Sequence, residues 1–251
     1  MENKSWIMRV FRLLLALGLI AMLSCCGKSE KVYRIGIDPS FAPIELQGQE
    51  NYLLGFIEEL LVEISKEAHL GFRRVWALQN TLVEGLENEE YDGVFASLAP
   101  YNFLQGKFCF SPVFFETGPV LLVRAKDSYN GLEDMAGKMV AVQSGDRSIS
   151  AIQRYPKIFT KTYLLIPDAL NQLDAGKVDG VVMDAFLARQ YMKDLYAGKF
   201  KVGKPLEEEG LRLITLKKEE DRLMRIFNRS MKNLRNKGIL QKLEKKWHLG
   251  G

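Results

Sequence analysis

The sequence predicts an α/β fold of two similar lobes, on three observations. Apolar strand-like runs alternate with amphipathic helix-like runs, the pattern of a largely parallel sheet covered by helices. The second half of the chain repeats the order of the first. The chain has 251 residues, 47% hydrophobic and 26% charged, enough for one large core or two smaller ones. This composition excludes a disordered, collagen-like or polytopic membrane protein.

The first segment is a leader. Lys4, Arg9 and Arg12 precede an 11-residue apolar run, Leu13 to Leu23, followed by Ser24, Cys25 and Cys26. An export signal needs an apolar core of about 7 to 15 residues, whereas a spanning helix needs about 18 or more. Residues 1–25 therefore read as an export signal. With only Glu2 opposing its three basic residues, the leader carries half of the net charge of +4. The remaining body is close to neutral and lacks the concentrated basic face of a nucleic-acid binder.

After the leader, Val32 to Ile37 reads as a buried strand, ended by Asp38-Pro39 and a loop through Pro43. Ile57, Leu60, Leu61, Ile64 and Ala68 then fall at helical spacing, with Glu58, Glu59, Glu63 and Glu67 on other faces, which makes a helix packed on a sheet. Leu82, Val83 and Leu86 mark a shorter helix, and Tyr91 to Ala96 another strand.

The second series opens with the apolar strand Gly118 to Arg124 and continues with the strand Gly137 to Gln143. Ala169, Leu170 and Leu173 make a short helix. The strand from Lys177 to Asp184 contains Asp179-Gly180-Val181, an echo of Asp92-Gly93-Val94 in the first half. Leu211 to Leu216 reads as a strand returning to the first lobe. Leu223, Phe227, Met231 and Leu234 place an apolar stripe on a basic terminal helix, which Gly238 interrupts. The basic face reads as solvated.

Few residues here carry reactive chemistry. Cys109, between Phe108 and Phe110, is the one cysteine after Cys26; it reads as a small buried hydrophobe and leaves the body without a disulfide framework. His69 and His248 are the only histidines, with no ligand-spaced partners for a metal and no catalytic motif around them. No catalytic residue, cofactor or metal is expected.

Several motifs, in this order and spacing, resemble the bacterial extracellular solute-binding proteins, family 3, the binding components of amino-acid ABC importers. They are Asp38-x-x-Phe41-x-Pro43, Gly55-Phe56, Asp92-Gly93-Val94, Phe110-Ser111-Pro112, the stretch Gly137 to Gly145, the stretch Val178 to Asp184, and the closing Lys246-Trp247. The resemblance covers about residues 31 to 249. It implies a two-lobed periplasmic-binding-protein fold of type II, with two crossing hinge strands and closure around a ligand. Lobe 1 would be residues 26–117 plus 211–251 and lobe 2 residues 118–210, hinged near Glu116 to Gly118 and Glu208 to Gly210. The leader's end resembles a bacterial lipobox, with Cys25 or Cys26 as the lipidated residue: Cys25 has the small Ser24 before it, while Cys26 has Leu23 at the usual place.

The resemblance also implies a ligand set. Asp38 and Asp184 occupy the positions that hold the ligand's ammonium group, and both also suit a turn or helix cap. Phe41 matches an aromatic that stacks on the ligand and would fit a core equally. The second aromatic of the family aligns with Gln79, with Trp76 three residues earlier. Gln143 matches a position near the ligand's side-chain end. Leu104 stands where the family has the arginine that grips the α-carboxylate, with Ala99 and Tyr101 at the preceding polar positions. A buried carboxylate without its cation costs about 3–5 kcal/mol. Either the ligand lacks that carboxylate or another cation substitutes. Arg147 is the candidate, at a turn opening a helix where anions are favoured, beside Asp146, which suits the N-cap of that helix.

Asp38, Asp146 and Asp184 against Arg147 make the cleft negative. The expected ligand is a cationic or amine-bearing solute, such as a basic amino acid, a small peptide or a polyamine. The expected partners are an ABC permease with its ATPase and, through the lipid anchor, the periplasmic face of a bacterial membrane; no nucleic acid is expected. Two other readings stay open: a repurposed surface lipoprotein or sensor that no longer transports, and an enzyme resembling the cyclohexadienyl dehydratases, with Glu45 or Asp146 as its acid.

Overall fold

The computed structural model describes residues 31–41, 46, 48–146, 148–193, 195–218 and 221–249. Within the unit Tyr33–Gly251 these residues build two mixed sheets. The first contains β1 (Val32–Ile37), β2 (Gly71–Trp76), β3 (Gly93–Ala96), β4 (Phe108–Phe110), β5 (Phe115–Glu116) and β11 (Gly210–Leu216), in the order β2-β1-β3-β11-β4 with β5 on β11. The second contains β6 (Pro119–Arg124), β7 (Met139–Gln143), β8 (Phe159–Tyr163), β9 (Gly180–Asp184) and β10 (Phe200–Pro205), in the order β10-β6-β9-β7-β8. The expected parallel pairings are present, β1 with β3 and β7 with β8 and β9. Each sheet is mixed because β11 runs antiparallel to β3, and β6 antiparallel to β9.

The repeated Asp-Gly-Val motif has a structural cause. Asp92 Oδ2 accepts the backbone N–H of Arg34 on β1 at 2.7 Å, and Asp179 Oδ2 accepts that of Met139 on β7 at 3.0 Å. In both lobes the aspartate just before one parallel strand ties it to its neighbour by accepting a backbone N–H of that neighbour.

Helix α1 (Glu50–Ala68) buries Leu53, Phe56, Ile57, Leu60, Leu61 and Ile64 and ends at His69 in the left-handed conformation. Helices α2 (Gln79–Glu87) and α3 (Asn102–Gln105) belong to the same lobe, and α4 (Ile149–Gln153), α5 (Ile166–Asp174) and α6 (Ala185–Lys193) to the other. The basic C-terminal stretch forms α7 (Arg222–Asn236) and α8 (Ile239–Lys246), separated by Gly238 at φ 69°. Asp221 caps α7 by accepting from Met224 N at 2.9 Å.

The C-terminus is clamped onto α1. Glu59 accepts from Lys246 Nζ at 2.7 and 2.8 Å and from Trp247 Nε1 at 2.8 Å. The Trp247 ring lies so close to α1 that a Cβ on Gly55 would sit 2.3 Å from it. Gly55 and Trp247, far apart in sequence, are one contact. The hydrogen bonds from Lys246 and Trp247 hold the Glu59 carboxyl below its ordinary pKa.

Cys109 lies on β4, half-buried against the main core, and burial, helped by nearby Asp221, pushes its thiol pKa up. The histidines serve structure: His69 caps α1, and the His248 ring meets Tyr52 edge-on, centroids 5.7 Å apart.

Three measurements follow. Gly55→Ala overpacks the Trp247 contact at a cost of about 1–3 kcal/mol, and thermal unfolding should drop by about 2–10 °C. Because the Glu59 carboxyl is depressed in the folded state, its stabilisation is present above the ordinary Glu value of about 4.3 and is lost as pH falls through the lowered one. Glu59→Gln should therefore lower stability at pH 7 and flatten its acid-side decline in denaturant titrations. Cys109 should react with a thiol reagent at pH 8 much more slowly in the folded protein than after unfolding.

Candidate functional site

Strand polarity locates the site. The chain passes between the sheets twice, at Thr117-Gly118 and through residues 206–209. The two passages are bonded side by side: Thr117 N and Gly118 N both donate to Glu209 O at 3.2 Å, and Leu206 N to Pro119 O at 2.8 Å. Gly210 pairs with Glu116, and a Cβ there would fall 2.2 Å from Phe115 O, so only glycine permits this approach of the two chains.

From this junction β11 runs outward into the first sheet. β3, antiparallel to it, sets Ala96 opposite Arg212 and so ends at the junction, as does β1 parallel to β3. In the second sheet β6 runs outward from Pro119, and β9 ends with Asp184 opposite Pro119. β7 and β8 run with β9 and end there as well. Both lobes thus turn the carboxyl ends of their parallel strands to the junction, the side on which open α/β sheets bind ligands.

Asp38 follows β1 directly and is 5% exposed. Its Oδ1 accepts from Ser40 N at 2.8 Å and Ser40 Oγ at 2.7 Å. Asp184 ends β9, and its Oδ1 accepts from Phe186 N at 2.8 Å. In each case one carboxylate oxygen shapes the turn. The structure thus places an acid at the junction end of each lobe.

The other expected residues are placed as follows. Gln143 ends β7 and donates from Nε2 to Leu164 O at 3.1 Å. Asp146 Oδ1 accepts from Ser148 N at 2.7 Å, a turn just before α4, whose N-cap is Ser148 and not the expected Asp146. Gln79 is the exposed first residue of α2. Phe41 is 3% exposed and packed in the main core at φ 52°; its N–H donates to Asp38 O at 3.1 Å, so in this conformation it supports the Asp38 turn from beneath and does not present a stacking face. Arg147, Pro43, Glu45, Cys25 and Cys26 lie outside the described residues.

Leu104 sits on α3, half-buried against the cluster of Leu82, Leu86, Tyr91 and Phe108. Around it the segment leaving β3, residues 97–106, carries no lysine or arginine. Instead, Tyr101 and Phe103 stack with ring centroids 5.8 Å apart and stay exposed. Leu78, after β2, and Leu164 and Leu165, after β8, are exposed as well. The strand-end loops therefore combine acids with hydrocarbon. Among the described residues no group of three or more His, Cys, Asp and Glu is placed to hold a metal.

The sequence reading passed over Arg212. It is the one charge within the strand Leu211 to Leu216, stands opposite Ala96 at the junction end of β11, and is 3% exposed. Its Nη2 donates to Glu208 O at 2.8 Å, and burial pushes its pKa down, with Glu208 opposing. A single charge inside an apolar strand was the signal that could have found it.

Comparison with known proteins agrees with this architecture. The family model of the bacterial extracellular solute-binding proteins, family 3, matches residues 33–250. The arginine-binding extracellular protein ArtP of Bacillus subtilis is 25% identical over 260 residues, covering 98% of this chain and 99% of that protein. The histidine-binding periplasmic protein of Escherichia coli is 26% identical over 224 residues, 85% of this chain and 86% of its own. Among solved structures, the L-cystine solute receptor of Neisseria gonorrhoeae in its unliganded open conformation aligns with a TM-score of 0.67 at 17% identity, covering 87% of this chain and 93% of that one. Substrate-binding domain 2 of GlnP from Lactococcus lactis, also open, aligns at 0.64 and 20% identity, covering 88% and 96%. The fold is the α/β two-lobed periplasmic-binding-protein fold with two mixed sheets.

Proposed function

This chain belongs to the bacterial extracellular solute-binding proteins, family 3, and we propose that within it the protein is the receptor component of an amino-acid ABC importer that holds a small cationic, amine-bearing solute between its lobes. The family is one of binding proteins, so the work to be explained is recognition and closure, not bond chemistry. The observation that carries the reading is the pair of acids at the junction, Asp38 after β1 and Asp184 at the end of β9. An ammonium group bridging them would draw the lobes together, because each carboxylate belongs to a different sheet. Proteins named for arginine and histidine binding among the relatives support a cationic ligand.

In this reading lobe 1 (26–117 plus 211–251) and lobe 2 (118–210) close about the passages at 117–118 and 206–209. Gln79 and Gln143 contact the ligand's polar end, Asp146 and its sequence neighbour Arg147 join the ligand set, and the exposed hydrocarbon of Leu78, Tyr101, Phe103, Leu164 and Leu165 covers its apolar stem. Closure releases no reaction; it creates the surface that a permease and its ATPase recognise. A lipid on Cys25 or Cys26 would keep the receptor at the periplasmic face of the membrane.

The test is isothermal titration of the leaderless protein, starting after Cys26, against arginine, lysine, histidine, polyamines, and neutral and acidic amino acids. Cationic solutes should bind, and ligand at about 100 times its Kd should raise stability by about 2.7 kcal/mol. Asp38→Asn and Asp184→Asn should each weaken binding by about 30-fold or more, in line with the loss of one member of a desolvated charge pair. Tight binding of neutral or acidic amino acids, with none of cationic ones, would overturn the reading.

A further inference from the structure

Arg212 is a buried cation with an unmet need. Its side chain is nine-tenths or more inside the protein, its Nε has no hydrogen-bond partner, and its Nη2 donates to a neutral acceptor, the Glu208 carbonyl on the second passage between the lobes. Arginine presents five donors in a rigid fork, and leaving part of that fork unsatisfied away from water is unfavourable. The strand does not require it: neighbouring Leu211, Leu213 and Ile214 are all buried in the apolar clusters. A leucine would continue the pattern at lower cost.

The position explains the charge. Arg212 stands opposite Ala96, the last residue of β3, and its guanidinium is fixed to the passage that bounds the junction. It therefore lies in lobe 1 at the same strand ends as Asp38, next to a segment, 97–106, that has no cation of its own. An arginine whose buried Nε lacks a partner is matched to a carboxylate, which accepts charge-assisted N–H bonds from a guanidinium. Acids for an ammonium and one arginine for a carboxylate are the complement of an α-amino acid zwitterion.

We propose that Arg212 receives the carboxylate of the bound solute, so that the ligand class is a cationic amino acid and not a polyamine or other carboxylate-free amine. This rests on the binding function proposed above and narrows it. Arg212 does from strand β11 what Leu104 does not do from α3, and its bond to Glu208 O couples the held carboxylate to the passage that moves on closure.

The experiment compares each amino acid with its decarboxylated amine, free arginine with agmatine and lysine with cadaverine, by calorimetry on the leaderless protein. The native protein should bind the amino acid about 100-fold tighter than the amine, the scale set by one buried ion pair. In Arg212→Met this ratio should collapse to within about threefold, with the loss on the amino-acid side. If the native protein binds amino acid and amine alike, or prefers the amine, the proposal for Arg212 fails while the cationic-receptor reading stands. If Arg212→Met loses affinity for both by the same factor, Arg212 is a structural brace and the proposal fails. If the native protein binds neither, both readings fall. Should Arg212→Met not fold, Arg212→Lys keeps the charge without the fork; an amino-acid preference reduced about tenfold supports the proposal, and an unchanged one overturns it.

Discussion

Strands β6 and β11 both start where the chain crosses between the sheets, and that shared origin constrains everything at the junction. Every parallel strand next to them runs the other way, so β1 and β3 in one lobe and β7, β8 and β9 in the other end at the same place. The residues that follow those strands are then forced together without being neighbours in sequence. Asp38 and Asp184 are separated by more than half the chain, yet each is the residue at or just beyond the end of a buried strand. The glycine at 210 is the steric condition for this arrangement, since a side chain there would collide with the carbonyl of Phe115. Two chains packed that closely can bend together while resisting shear, a property expected of a two-strand hinge.

Away from the junction the molecule is built to stay fixed. The Asp-Gly-Val motifs bind strand to strand at the far ends of both sheets. The basic C-terminal helices fold back on α1, locked by Glu59 and by the Trp247 ring on Gly55. These contacts spend hydrogen bonds and apolar area on rigid lobes. The two sheets are joined through residues 117–118 and 206–209, where Arg189 of α6 also reaches across to Glu116 O at 2.8 Å. In such a division of labour, ligand affinity is differential interaction with the closed over the open state. Groups held on rigid strand ends serve that purpose better than groups on wandering loops.

Much of this was legible in the sequence. The strand at Val32–Ile37 and, within a few residues, those ending at Asp184 and Leu216 followed from apolar runs, the helical spacing from Ile57 to Ala68 found the later part of a helix that starts at Glu50, and Gly238 broke the terminal helix as a lone glycine should. Strands β2 and β8 escaped because they lie at sheet edges and bury no residue, so they carry no apolar period to read. At the site, Asp38 and Asp184 came from the resemblance to the family, and each stands at or just past the end of a strand that ends at the junction. Phe41 was ambiguous because an aromatic a few residues past a strand can turn either to solvent or inward, and here it turns inward. Arg212 was missed because the strand was judged by its apolar majority, and pairing with β3, which gives the arginine its address, depends on contacts more than a hundred residues apart.

The central claim is that a cationic solute bridges the acids of the two lobes and closes them. Small-angle X-ray scattering of the leaderless protein, with and without saturating arginine, tests it most directly. The account predicts a smaller radius of gyration with arginine for the native protein and no change for Asp184→Asn at the same concentration. Unchanged scattering of the native protein when calorimetry shows arginine bound, or equal compaction of the Asp184→Asn variant, would contradict it.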